Sequence, residues 1–243
     1  MKKLIITLVS VVLAAGTMAA QDLAQATEAY NNAATALSSG NKTAALEAFN
    51  QALQLADALG EEGSEISGRC KNTIPNLLVS IAKEQLQGSK FDEAVATIDE
   101  AVKKAEEFGI TDVVTKAKTL LPQAYLLKGK SLVASGDLDA AVEAYTQAAE
   151  NGQVESANRQ IASIYLKKAA SALSAKDYQG AFDDAQKALS ITENATAYKI
   201  AGTAAMKLEK KEDAIKNLEK YVELSPEAKD AAQMKEVIEA LKK

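Results

Sequence analysis

Alanine returns at one fixed place in five segments of this chain, and that recurrence constrains the fold more than any other feature. GNKTAALEAFNQAL from Gly40, SKFDEAVATIDEAV from Ser89, GDLDAAVEAYTQAA from Gly136, KDYQGAFDDAQKAL from Lys176 and EKKEDAIKNLEKYV from Glu209 carry Ala45, Ala94, Ala141, Ala181 and Ala214 at the sixth position. The intervals between these alanines are 49, 47, 40 and 33 residues. Twelve residues upstream of each lies another small residue, namely Ala33, Ala82, Gly129, Ala169 and Gly202; seven residues downstream lie Ala52, Ala101, Ala148, Ala188 and Tyr221. In the last three units an aromatic, Tyr125, Tyr165 or Tyr198, precedes the first small slot by four residues.

Two antiparallel helices joined by a short turn approach closely only where small side chains face each other at the crossing. One such pair cannot bury its apolar face alone, so successive pairs stack and share a core. The composition agrees: with three prolines, twelve glycines and 47% hydrophobic residues, the chain is neither collagen-like nor disordered, and its alanine, leucine, lysine and glutamate bias is helical.

These residues resemble the signature of the tetratricopeptide repeat proteins, a 34-residue helix–turn–helix with an aromatic, a small residue four later, alanine twelve after that, a large apolar residue, a second alanine and a closing proline. Tyr198, Gly202, Ala214, Leu218 and Pro226 fill those slots in the last unit, and Tyr125, Gly129, Ala141, Tyr145 and Ala148 do so in the third. The resemblance implies an all-α, right-handed solenoid of about five helix-turn-helix units with a C-terminal capping helix. The expected units are about 24–60, 64–109, 111–152, 155–193 and 195–226 within a repeat region of 21–226, with the cap at 227–243.

The first two intervals exceed 34, so the helices around the first two junctions are longer than the family's. ALQLADALG and AVKKAEEFG stop at Gly60 and Gly109, residues suited to ending a helix. The next helices start near Ser64 and Thr111, both good N-caps. Pro75 and Pro122 fall about eleven residues inside these helices, where a missing amide and a steric clash predict a kink or a break. After Pro226, a serine cap and a first-turn proline open the capping helix, whose Ala232, Val237, Ile238 and Leu241 cover the open end of the stack.

At the N-terminus, MKK, the apolar run LIITLVSVVLAAG and the small residues of TMAAQ read as a secretory signal peptide over 1–20, cleaved after Ala20 or Ala19. The competing reading, an uncleaved anchor, meets a run of only 13 residues from Leu4 to Gly16, short of the roughly 20 a spanning helix requires. No cysteine adjoins the cleavage site, so no lipid anchor is expected. The mature chain is expected to be soluble, in the periplasm of a Gram-negative bacterium or outside the cell.

Removing Lys2 and Lys3 leaves 26 basic against 33 acidic residues. That balance argues against nucleic acid, which demands basic residues to neutralise phosphates. The one cysteine, Cys70, excludes an intrachain disulfide framework. Its spacing to Ile66, Ile74 and Leu78 places it on an apolar helical stripe, as a buried small hydrophobe; a reactive or dimer-linking thiol is the alternative.

No catalytic constellation competes with a binding role. The chain has no histidine, the commonest general base and metal ligand, and one cysteine makes no thiolate zinc site. No P-loop, dinucleotide fingerprint or nucleophile elbow is present. Neither a cofactor, a metal nor an enzymatic activity is expected. Acidic pairs such as Asp183/Asp184 and Glu106/Glu107 read as solvated helix faces, and the sequons at Asn41 and Asn194 as ordinary loop and cap residues.

In the resembled family the first helix of each pair lines a concave groove for an extended peptide or a partner's helix. Carried over, the groove positions are Tyr30, Ala34 and Leu37; Val79, Lys83 and Leu86; Leu126, Lys130 and Val133; Leu166, Ala170 and Leu173; and Lys199, Thr203 and Met206. This is an apolar strip dotted with lysines on an acidic protein. The lysines either receive a carboxylate or acidic side chains of a protein partner, or extend over the groove for solubility. Tyr30 and Ala34 stand where the lysine and asparagine of the family's chaperone-tail clamp begin, so that clamp is not reproduced. A non-catalytic envelope adaptor is thus expected. The alternative is a structural homo-oligomer built through the convex face or the extended helices around Pro75 and Pro122.

Overall fold

A computed structural model describes the backbone of residues 2–243 and the side chains of residues 20–243. The expected signal segment 1–20 therefore lies, apart from Ala20, outside the residues whose side chains are described. The described residues form helices and turns without a strand: α1 (Lys2–Ser38), α2 (Lys42–Ala58), α3 (Ser64–Gln87), α4 (Phe91–Phe108), α5 (Thr111–Ser135), α6 (Leu138–Glu150), α7 (Val154–Ser174), α8 (Tyr178–Ile191), α9 (Ala195–Lys207), α10 (Lys211–Leu224) and α11 (Ala231–Lys242).

The chain divides into two compact units, Met1–Ala124 and Tyr125–Lys243. In the first, α1 packs on α2, α2 on α3 and α3 on α4, while the first helices α1 and α3 also touch. In the second, α6 to α11 pack in chain order and α7 reaches α9. Each unit is a stack of helix hairpins, the all-α architecture that the small slots imply.

The slots behave as the crossing argument demands. Ala33, Ala45, Ala52, Ala82, Ala94, Ala101, Ala141, Ala148, Ala169, Ala181 and Ala214 are fully buried. At Gly129 an added Cβ would meet the Tyr145 ring at 2.8 Å, and at Gly202 it would meet Leu218 Cγ at 2.7 Å. The two glycines thus sit where the opposite helix presents a large buried side chain, Tyr145 or Leu218. Ile74, Leu78, Ile98 and Leu218 fill the core between the crossings, each such side chain contributing about 1.5–3 kcal/mol by burial.

The turn inside each pair has one geometry. The first residue of the repeated frame adopts positive φ in all five cases: Gly40 (82°), Ser89 (59°), Gly136 (89°), Lys176 (63°) and Glu209 (58°). The next residue donates its amide back to the carbonyl five positions earlier, Asn41 to Ala36 (3.0 Å), Lys90 to Gln85 (2.8 Å), Asp137 to Leu132 (3.0 Å), Asp177 to Ala172 (2.9 Å) and Lys210 to Ala205 (2.9 Å). This is the Schellman closure, which satisfies carbonyls that the helix end leaves open. Asn41, Asp137 and Asp177 then cap the second helix by accepting from the amides of Ala44, Ala140 and Gly180. Lys90 and Lys210 occupy the same position without a side-chain cap.

Gly60 and Gly109 end their helices at positive φ, 60° and 73°. Four other expectations require correction. Of the kink or break expected at Pro75 and Pro122, the break does not occur: α3 and α5 run through them, and Pro75 is buried. Packing on both sides outweighs the lost amide. Ser64 is the first residue of α3 rather than its cap; the cap position is Gly63, which passes so close to α2 that a Cβ would lie 2.0 Å from the Ala56 carbonyl oxygen. Ser225 closes α10 instead of opening the last helix, and Pro226 lies in a turn before Ala231. There, Asp230 is held by the Tyr221 hydroxyl, which donates at 2.5 Å, and by Lys199 Nζ at 2.6 Å. That delayed start puts Ala231, not Ala232, against the stack beside Ile238, with Val237 and Leu241 half-buried.

Candidate functional site

The first helices carry the expected groove positions, taken here unit by unit. In the first compact unit, α1 holds Tyr30, Ala34 and Leu37 half-buried, and α3 holds Leu86 half-buried and Lys83 exposed. Tyr30 is already engaged: its ring meets Phe49 edge-on with centroids 5.5 Å apart, and the Arg69 guanidinium lies 5.9 Å over it. Val79 is only 6% exposed and belongs to the core with Leu78 and Ala82. It supports the face without lining it, because α3 turns that side toward its neighbours.

In the second unit, α5 contributes Leu126, Lys130 and Val133, α7 Leu166, Ala170 and Leu173, and α9 Lys199, Thr203 and Met206. Leu126, Val133, Leu166, Leu173 and Met206 are half-buried, and Lys130 and Ala170 are exposed. A hollow of about 210 Å³ opens beside Leu166, lined also by Arg159, Ala162 and Ser163 of α7 and by Thr192. Arg159 and Ser163 did not enter the sequence reading, although both lie within two helical turns of Leu166.

The three lysines differ. Lys83 and Lys130 make no ion pair among the described residues and are exposed. Lys199 is committed within the chain: besides its pair with Asp230 it lies 5.5 Å over the Tyr221 ring. Lys199 and the Tyr221 hydroxyl together hold the Asp230 carboxyl below its ordinary value, the lysine contributing most. Lys199 therefore ties α9 to the turn that leads into α11, a role invisible in the repeat alignment because Asp230 lies outside the repeated frame.

Cys70 is fully buried. Desolvation, helped by the negative charge of Asp57, pushes its thiol up to about 11, so it stays protonated at neutral pH. The reading as a small core hydrophobe holds. Asn41 and Asn194 are helix caps, accepting from Ala44 and Ala197 amides. Among the described residues no cluster of three or more metal-ligating side chains forms, and no helix is long and apolar enough to cross a membrane.

Family models of the tetratricopeptide repeat match residues 126–197 and 195–227. The match falls where the repeat interval shortens toward 34, and the two long units precede it. No curated protein matches the chain in sequence. Among solved structures, a TPR repeats protein from Bacteroides fragilis is 18% identical over 89% of this chain and 98% of that one, with a TM-score of 0.37. The TPR2AB-domain:pHSP90 complex of yeast Sti1 is 18% identical, covering 93% of this chain and 97% of the other at a TM-score of 0.31. The Arabidopsis OM64 TPR domain is 24% identical, covering 51% and 98% at 0.32. Residues 126–227 match tetratricopeptide repeats, modules of protein–protein interaction.

Proposed function

We propose that this chain is a non-catalytic adaptor of the cell envelope that holds an extended peptide or a partner's helix on the exposed faces of its first helices. One observation carries the reading. None of the fifteen groove positions is acidic although the chain has 33 aspartates and glutamates, and Leu126, Val133, Leu166, Leu173 and Met206 are only half-buried, the first four resting on the core with part of their surface open. Apolar side chains supply contact area, and Lys83 and Lys130 supply uncompensated positive charge for a carboxylate or acidic side chain. A cleaved signal peptide over 1–20 delivers the chain to the periplasm of a Gram-negative bacterium or beyond it.

Affinity capture from envelope extract tests the adaptor role, comparing the wild type with a Lys83→Glu, Lys130→Glu variant. Lys199 is left intact because reversing it would loosen the last turn. Charge reversal and raised salt should both release the partner; equal recovery from both proteins would remove the basic contribution. N-terminal sequencing of the fractionated protein should begin at Ala20 or Gln21, and an intact Met1 in the cytoplasm would refute export. The rival reading, self-assembly, draws on three large apolar side chains outside the groove positions, Leu127 (43% exposed), Val154 (54%) and Leu224 (40%). Light scattering that shows a monomer at micromolar concentration would eliminate it.

A further inference from the structure

We propose that the turn joining α6 to α7 is a site of covalent self-modification, at which Asn151 loses ammonia and becomes aspartate or isoaspartate. Asn151 and Gly152 are both exposed there, and no other asparagine of the chain is followed by glycine. Asparagine is a thermally labile residue. The nucleophile that attacks its side chain is the backbone nitrogen of the next residue, and glycine alone leaves that nitrogen without a side chain beside it. A Cβ built on Gly152 would meet nothing within 4 Å, so no neighbour shields the turn.

The backbone requires this glycine but not this asparagine. Gly60, Gly109 and Gly152 follow α2, α4 and α6 with φ of 60°, 73° and 103°, the left-handed conformation in which helices commonly end on glycine. The residues before them are Leu59, Phe108 and Asn151, so an apolar side chain serves equally well at this place. The other described asparagines lie inside helices or, as Asn41 and Asn194, hold helix N-caps.

The reaction needs only the chain and water. The Gly152 amide gives its proton to a solvent base and its nitrogen attacks Asn151 Cγ; the Cγ–Nδ2 bond breaks, and ammonia leaves with a proton taken from solvent. Water then opens the cyclic imide. Cleavage of the new Cγ–N bond gives aspartate, and cleavage of the original peptide bond gives isoaspartate. In the closed turn both reactants are held, Gly152 N by the Ala149 carbonyl at 3.0 Å and Asn151 Nδ2 by the Gln147 carbonyl at 2.8 Å. Ring closure therefore waits for the turn to open, which an exposed helix end does at low free-energy cost.

Neither product restores the closure. Aspartate puts a carboxylate where Nδ2 donated, against the Gln147 carbonyl at the negative end of α6. Isoaspartate adds a carbon to the main chain inside the loop that Gln153 N closes on the Ala148 carbonyl at 2.9 Å, and the Gln153 carbonyl in turn receives the Ala157 amide of α7 at 2.9 Å. Modification thus loosens the junction between the third and fourth helix pairs.

Incubation of the purified protein at mildly alkaline pH, followed by peptide mass spectrometry, tests this site. The segment that holds Asn151 should gain the mass of an amide replaced by an acid, as two separable isomers, before any other asparagine does, and severalfold more slowly in buffer than in urea. Asn151→Leu, which installs the residue that precedes Gly60, should abolish the gain. The converted protein, separated by its extra negative charge, should show faster hydrogen exchange at Gln153 and Ala157 with α10 unchanged. An intact Asn151 in buffer once the same segment is fully converted in urea, earlier conversion of another asparagine, or unaltered exchange in the converted protein would overturn the proposal. The Lys83→Glu, Lys130→Glu protein should convert at the wild-type rate, which keeps this result apart from the fate of the groove.

Discussion

Gly129→Ala sets two opposed effects against each other, and the structure says which prevails. Inside a helix, alanine is favoured over glycine by about 0.5–1 kcal/mol, through lower backbone entropy in the unfolded chain. At position 129, however, the new Cβ would stand 2.8 Å from Tyr145 Cε1 and 2.9 Å from Cδ1 and Cζ, where carbon atoms prefer about 3.5–4.0 Å. The ring has little freedom to withdraw: it is 3% exposed and packs in the core with Ala141, Ile161 and Ile164. Overpacking of this kind costs about 1–3 kcal/mol. The net expectation is a loss of about 1 kcal/mol.

Two companion variants isolate the cause. Gly68 also lies inside a helix, α3, yet a Cβ there meets nothing within 4 Å, so Gly68→Ala should show the propensity gain alone, about 0.5–1 kcal/mol of stabilisation. Tyr145→Ala should cost about 3–5 kcal/mol by itself, but in that background Gly129→Ala should become stabilising. The pair would then mimic Ala169 and Ala185, which occupy the same slots one unit later. Urea denaturation followed by circular dichroism gives the four free energies of the cycle, with a coupling of about 2 kcal/mol expected. If Gly129→Ala stabilises as much as Gly68→Ala, or the coupling vanishes, the crossing does not select for glycine as argued.

The turn geometry yields a second test: Ser89→Gly, Lys176→Gly and Glu209→Gly remove a Cβ from the left-handed region and should each add about 0.5–1 kcal/mol, raising Tm by about 2–4 °C per kcal/mol in a thermal melt. Lys90→Asp should supply the cap that Asn41 and Asp137 supply elsewhere, and a midpoint shift in urea consistent with about 1 kcal/mol is expected. Cys70 should resist alkylation at neutral pH until the protein is unfolded; because its folded thiol is pushed up to about 11 from 9.0, the folded state holds the proton more tightly, so its contribution to stability is full below about pH 9 and declines toward pH 11. Asp230 has the opposite sign, its carboxyl lowered by Lys199 and Tyr221, so its contribution is present above the ordinary aspartate value and lost as pH falls through the folded one. Asp230→Asn should accordingly speed hydrogen exchange in α11 at neutral pH while leaving α7 unchanged.

What was legible in the sequence was whatever depends on residue size at a fixed interval. The alanine and glycine slots marked the crossings because a side chain larger than methyl cannot fit there, and that demand repeats with the helices. Gly60 and Gly109 were legible for a similar reason, since a positive φ favours one residue type. The positions of charged side chains were not. Lys199 falls in a groove slot by alignment, but its ammonium is claimed by Asp230, a turn residue with no counterpart in earlier units. Local rules also misplaced the start of the last helix, where Ser225 and Pro226 form a good capping signal that the Tyr221–Asp230 hydrogen bond overrides. Pro75 and Pro122 read as kinks or breaks because the proline rule is local, whereas the packing that carries α3 and α5 through them without a break involves residues far along the chain.

That packing explains why the first two junctions can be longer than the family's without being insertions. Asp57 pairs with Lys71 at 2.9 Å across α2 and α3, and Glu106 pairs with Lys118 at 2.9 Å across α4 and α5. The acidic partners are 49 residues apart and the lysines 47, the same intervals that separate the small slots, so one extended hairpin has been used twice with aspartate exchanged for glutamate. The pairs are too exposed to stabilise much, about 0–1 kcal/mol each. The apolar positions beneath them matter more. Cys70 and Ala117, also 47 apart, are both fully buried, as are Ile74 and Val113. The additional turns therefore extend the core instead of projecting from it. Lys71 and Lys118 also lie four residues before Pro75 and Pro122, so the carbonyl that each proline leaves without an amide donor belongs to the residue whose side chain bridges to the preceding helix. A proline is tolerated there because the helix is secured on both sides of it, by the buried stripe and by the bridging lysine.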